Sequence, residues 1–139
     1  MNHVVGIILA ALVLFTAPAR TQEDENVASA QAAAQSWLAL IDSGQYDRSW
    51  DQAADLFQAR VYKPDWINAV RNARSPLGSL TTRKVKSAKA ALSLPGAPDG
   101  EYVIIRYESQ FEHKTSAIET ITPLREKDGS WKVSGYFIK

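Results

Sequence analysis

Apolar residues between Asn26 and Ser43 recur every third or fourth position, at Val27, Ala30, Ala34, Trp37, Leu38 and Ile41. That spacing places them on one face of a helix, and Gly44 supplies the left-handed residue that closes it. A second stripe, Tyr46, Trp50, Ala53, Ala54, Phe57 and Val61, predicts a helix from about Asp47 to Val61, with Asp47 as N-cap. A third helix should start at Pro64, which suits a first turn because its missing N–H has no partner to lose. Trp66, Ile67, Val70 and Ala73 form its apolar side, and it must stop before Pro76. Arg74-Ser75-Pro76-Leu77-Gly78 is then a hinge.

Beyond Ser79 the pattern changes to β-branched and aromatic alternation. Leu80–Leu94 reads as one long strand whose imperfect alternation points to a bulge. The break Pro95-Gly96-Ala97-Pro98-Asp99-Gly100 follows, then strands over Glu101–Phe111, Thr115–Thr122 and Trp131–Ile138, with turns at Glu112-His113-Lys114 and Asp128-Gly129. Short connections make such strands antiparallel neighbours, and the helical stripes need a surface to cover. The expected fold class is α+β: three N-terminal helices packed on a curved four-stranded antiparallel sheet. In the last strand, Trp131, Val133 and Phe137 are expected on the core face, with Lys132, Ser134 and Tyr136 opposite.

The first residues bear on compartment. Val4–Phe15 is largely apolar, and Thr16-Ala17-Pro18-Ala19 follows, a small-x-small pattern that predicts a signal peptide over residues 1–19 cut after Ala19. The run is shorter than the roughly 20 apolar residues a membrane span needs, and the stretch before Val4 carries no Lys or Arg. A periplasmic or secreted protein is expected, touching the membrane only through its leader, with residues 20–139 as a single domain. The chain contains no cysteine, which excludes disulfides, thiol catalysis, cysteine zinc sites and lipidation at the cleavage site.

The net charge of +1 conceals a division. Residues 20–59 carry two basic and seven acidic side chains, a net of −5, whereas residues 60–89 carry eight basic groups against Asp65, a net of +7. In an exported protein such a basic segment points away from nucleic acid: it is a solvated strand face balanced by the acidic helices, or else a contact for anionic lipid heads, lipopolysaccharide or another acidic envelope polymer. No metal or cofactor is expected. His113 is the one histidine after the leader, and no phosphate loop or nucleophile elbow is present.

Several stretches carry a family resemblance: Trp37-Leu38 with Asp42, Tyr46 and Trp50, the Arg74–Gly78 hinge, Leu94–Tyr102, and Asp128–Phe137 with its Trp-Lys-Val-Ser-Gly-Tyr core. Together they resemble the family catalogued as domain of unknown function 4019, small exported bacterial proteins. The resemblance implies a fold similar to the cystatin-like or nuclear-transport-factor-2-like cone, and it implies no activity.

One position could hold chemistry. Glu119 shares a strand face with Ala117 and Ile121. Burial would make it a candidate general base, whereas an arginine beside it, Arg74 or Arg83, would make it a structural ion pair. Trp66, Arg74, Arg83, Tyr107, Glu119 and Tyr136 are the expected ligand-binding residues, with Trp66, Arg74, Tyr107 and Tyr136 framing the open end of the cone. The expected function is a binding or protein-interaction module whose partner is a small molecule or an envelope protein. A homodimer could form through an outer sheet face carrying Tyr102, Ile104 and Arg106. The alternatives are a small acid–base enzyme using Glu119 in a pocket, and an electrostatic binder of anionic envelope polymers.

Overall fold

The structure, a computed structural model, describes residues 13–139. Most of the apolar run Val4–Phe15, and so most of the expected signal peptide, lies outside the described residues. Val13–Arg20 is exposed and belongs to neither helix nor strand. Among the described residues no helix is long and apolar enough to cross a membrane.

The first helix, α1 (Gln22–Asp42), begins five residues before Val27, the first position of its apolar stripe. Thr21 and Asp24 close a reciprocal capping box at its start, and Glu23, Asp24 and Glu25 sit where the helix dipole favours negative charge. Ala30, Ala34, Trp37, Leu38 and Ile41 are buried against the sheet. The two small alanines let the helix approach closely.

The second predicted helix is two short ones, α2 (Tyr46–Asp51) and α3 (Asp55–Arg60). The interruption has a partner: the Ala54 N–H leaves the helical ladder and donates to the Val133 carbonyl at 2.8 Å, pinning the break to the last strand. The Gln58 side chain takes up the freed carbonyls of Trp50 and Asp51 at 2.9 and 3.1 Å. Asp47 lies inside α2 rather than capping it; Gln45 holds the cap position without a side-chain bond. Helix α4 (Lys63–Arg74) has its proline in the first turn, and a single 3-10 turn over Ser75–Leu77 forms the hinge.

Four strands follow: β1 (Leu80–Ala91), β2 (Tyr102–Phe111), β3 (Lys114–Arg125) and β4 (Trp131–Ile138). They pair antiparallel in sequence order. Val103, Ile105, Tyr107, Ile121 and Val133 turn inward and meet α1, Phe57, Trp66 and Val70 in one core.

Two bulges decide which side chains face that core. In β1 the register shifts between Val85 and Ser87. Arg83 lies on the helix side opposite Ser109, and beyond the extra residue Ala88 and Ala90 return to that side opposite Ile105 and Val103. In β4, Val133 pairs with Pro123 but Tyr136 pairs with Ile121, so three steps on one strand match two on the other. Pro123 has no N–H to give its neighbour, and a bulge is where an interior strand tolerates that loss. The extra residue reverses the expected faces. Tyr136 turns inward, and Phe137, expected in the core, is 53% exposed.

The outer face differs from expectation at Tyr102, which is buried. The 92–100 connection folds over it, with its hydroxyl donating to the Pro98 carbonyl at 2.6 Å. The apolar surface once expected there is reduced to a half-buried Ile104 beside an exposed Arg106.

Candidate functional site

The C-terminal ends of α1 and α4 converge on the inner face of β1–β3 and bring Asp42, Arg74, Arg83 and Glu119 together. Asp42 sits in the last turn of α1, where the helix dipole disfavours an anion and no basic residue of that turn offsets it. Two arginines supply the compensation. Arg74 donates to Asp42 Oδ1 at 2.9 Å, while Arg83 donates to Oδ2 at 2.7 Å and to Oδ1 at 2.9 Å.

Arg83 also turns a second edge of its guanidinium to Glu119, with Nε at 2.7 Å from Oε1 and Nη2 at 3.1 Å from Oε2. The Glu119 side chain is fully buried. Ser109 donates to Oε1 at 2.6 Å, and Tyr136 donates to Oε2 at 2.5 Å. An ionised carboxylate offers about four acceptor positions, and these four donors occupy them. Two arginines and two carboxylates also balance in charge, which is the condition for placing ions under a fold.

The electrostatics follow from this packing. Burial works against the Arg83 cation, but its hydrogen bonds to Asp42 and Glu119 outweigh that and raise its pKa. Burial likewise works against ionised Asp42, yet Arg83 and then Arg74 hold it below the ordinary carboxylate value. Burial pushes the Tyr136 phenol far up, and the adjacent Glu119 charge pushes it further, so it remains a donor. The Tyr107 phenol also rises, through burial first, with Arg83 pulling it partly back.

Of the residues expected from sequence, Arg83, Glu119 and Tyr136 are in direct contact. Arg74 joins through Asp42, its guanidinium stacked 4.6 Å from the Phe111 ring centroid. Tyr107 lies directly across from Glu119 in the strand register, with Arg83 at 6.0 Å from its ring. Trp66 stands apart as a core residue. Its indole donates to Ser49 at 2.9 Å, and its ring packs on Phe57 at 5.0 Å and on Tyr136 at 6.5 Å. It reaches the charged cluster only through Tyr136. Arg74 Nε and Nη1 and the Tyr107 hydroxyl are buried without hydrogen-bond partners among the described residues.

Asp42 and Ser109 complete the cluster and were not among the expected binding residues. Asp42 had a signal, since an acid in the last turn of a helix calls for a cation. Ser109 had a weaker one, as the polar member of an inward series Tyr107, Ser109, Phe111. Among the described residues no group of three or more His, Asp or Glu is placed to hold a metal ion. Glu119 lines none of the main surface hollows, and one of about 520 Å³ lies on the opposite face of the sheet.

An α+β domain with a closed, charge-balanced cluster under its helices is what the fold and site define. The family model described as protein of unknown function (DUF4019) matches residues 33–136, and the chain belongs to that family. No curated protein and no solved structure matches it.

Proposed function

We propose that this protein is an exported, non-catalytic binding domain whose buried charge cluster is architectural and whose recognition falls to its surface. The carrying observation is the saturation of Glu119. A general base needs a lone pair facing the proton it removes, and each acceptor position of this carboxylate already meets a donor from the protein. The acid–base alternative also needs a ligand-sized space at Glu119, and the main hollows lie elsewhere. The exposed, irregular Val13–Arg20 ahead of a well-capped α1 supports a leader cut after Ala19. The helix layer and the sequential four-stranded meander support placing the fold with the cystatin-like or nuclear-transport-factor-2-like cones.

The test is incubation of the purified protein with an envelope metabolite and protein extract, with mass spectrometry of both the retained and the free fractions. A binding domain returns its partner unchanged and in stoichiometric amount. Catalytic accumulation of a product, abolished in a folded Glu119→Gln variant, would overturn the proposal. N-terminal sequencing of the envelope form should begin at Arg20.

A further inference from the structure

We propose that the outer face of β1–β3, turned away from the helices, is a binding surface for an acidic polysaccharide; this rests on the binding-domain proposal and names its ligand class. Strand register assembles the surface. Lys84 stands opposite Glu108, Ser87 opposite Arg106, Lys89 opposite Ile104, and Thr82 opposite Gln110. With Lys86 this puts four cations against the single carboxylate of Glu108, which is paired to Lys86 at 3.5 Å. Lys84, Lys89 and Arg106 have no carboxylate partner within ion-pair distance among the described residues.

Lysines on an exposed edge strand have another use, which is to discourage pairing with a second sheet. That accounts for β1 but not for Arg106, which belongs to an interior strand with both edges already paired. The charge therefore extends across the face rather than along its border. Beside it, Thr82, Lys84, Lys86, Gln110, Thr115 and Ser116 help line an open hollow of about 520 Å³. The side chains of Thr82, Gln110, Thr115 and Ser116 make no hydrogen bonds within the protein among the described residues, so their donors and acceptors are free for a ligand. Cations next to uncommitted hydroxyls and amides match a chain that alternates carboxylates with hydroxyls.

Other polyanions fit less well. A nucleic acid strand is held by a run of stacking aromatics as well as charge; on this face Tyr102 is buried under the 92–100 connection, and Phe137 of β4 is a single exposed ring separated by two strands from the lysines of β1. A membrane surface favours apolar side chains beside the basic ones. Of the large exposed apolar groups, Val13–Phe15, Tyr62 and Leu92 belong to other parts of the fold and Val85 points to the helix side; Phe137, opposite Thr120 on β4, is a single apolar group at the far edge of this face.

Binding of polygalacturonate to the whole protein, followed by calorimetry at low and high salt, tests this. Wild type should bind at low salt and weaken about tenfold or more as salt screens the surface cations. The triple variant Lys84→Ala, Lys89→Ala, Arg106→Ala changes only exposed side chains and should melt like wild type while losing most of that affinity; Arg71→Ala, on α4, should retain it. Equal binding by the triple variant overturns the proposal. So does preference for phosphatidylglycerol vesicles, single-stranded DNA or neutral dextran over polygalacturonate. If polygalacturonate fails while the extract still yields a stoichiometric partner, the surface assignment falls and the binding domain stands.

Discussion

Replacing Glu119 by glutamine separates an architectural carboxylate from a catalytic one. The amide keeps the shape and one acceptor oxygen, which can still serve Arg83 Nε and Ser109 at the Oε1 position. At the Oε2 position an NH2 group now faces two donors. Tyr136 can rotate its hydroxyl to accept, but Arg83 Nη2 cannot reverse, and a donor–donor conflict remains at what was a 3.1 Å bond. Arg83 also loses one of its two anions, although Asp42 stays in place. Hydrogen bonds to charged groups contribute about 1.5–3 kcal/mol each, and breaking a buried pair outright costs about 3–5 kcal/mol. Because half of Arg83's compensation survives, the expected loss is about 2–4 kcal/mol. A domain of this size loses roughly 10 °C of melting temperature for such a change. Urea unfolding followed by tryptophan fluorescence and by far-UV circular dichroism measures it, with an unchanged slope confirming that the native state is intact. A variant within about 0.5 kcal/mol of wild type, the range of an ordinary surface substitution, would refute the reasoning and leave Glu119 free for proton transfer.

Ser49→Ala should cost about 1–3 kcal/mol by chemical denaturation, because this fully buried hydroxyl accepts the Trp66 indole N–H and donates to the Tyr46 carbonyl. Gly78→Ala should destabilise by at least about 1–3 kcal/mol, since φ is 73° with ψ −159° and a Cβ there would lie 2.9 Å from Glu112 Cβ. Acid titration of stability should show a component from Asp42. Burial opposes its ionisation but Arg83 and Arg74 depress its pKa below 3.8, so its contribution is complete above that ordinary value and is lost as pH falls toward the folded pKa. In Asp42→Asn, urea midpoints should depend less steeply on pH in that acidic range; an unchanged slope would show that Asp42 is not held by the arginines.

The helical stripes were legible because each helix covers one core, and periodicity records which residues face it. Where the second stripe runs unbroken from Tyr46 to Val61, the chain nevertheless interrupts the helix at Ala53–Ala54 to give one N–H to Val133. A tertiary hydrogen bond of that kind leaves no local signature. The two bulges show the difference between a readable signal and a hidden one. In β1 the alternation itself fails, since Arg83, Val85, Ala88 and Ala90 cannot share a face without an extra residue. In β4 the residues alternate cleanly, and the cause of the bulge lies on the neighbouring strand at Pro123. Tyr136 is therefore recognisable in the sequence as a site residue, but the direction of its side chain is not. Glu119 was legible by its face, and its partner Arg83 by charge, whereas Trp66 was misplaced because an indole close to a basic hinge looks the same in sequence as one sealed in a core.

The uneven charge along the chain takes on a different meaning once folded. Part of the basic middle segment is not a surface property: Arg74 and Arg83 go inside to Asp42 and Glu119, while Lys63 pairs with Asp51 at the surface. Acidic helices and a basic strand are thus a means of docking one layer on the other. Strand β1 sorts its own cations by chemistry as well as by parity. The inward position is an arginine, whose planar fork spans two carboxylates at once, and the outward positions Lys84, Lys86 and Lys89 are lysines, whose compact ammonium groups are strongly hydrated. The same alternation that closes the interior against ligands leaves a residue of uncompensated positive charge on the far side of the sheet, with Arg106 of the next strand continuing it. Recognition by this domain is accordingly expected on the face its helices leave uncovered, because the face they cover has already matched its charges to one another.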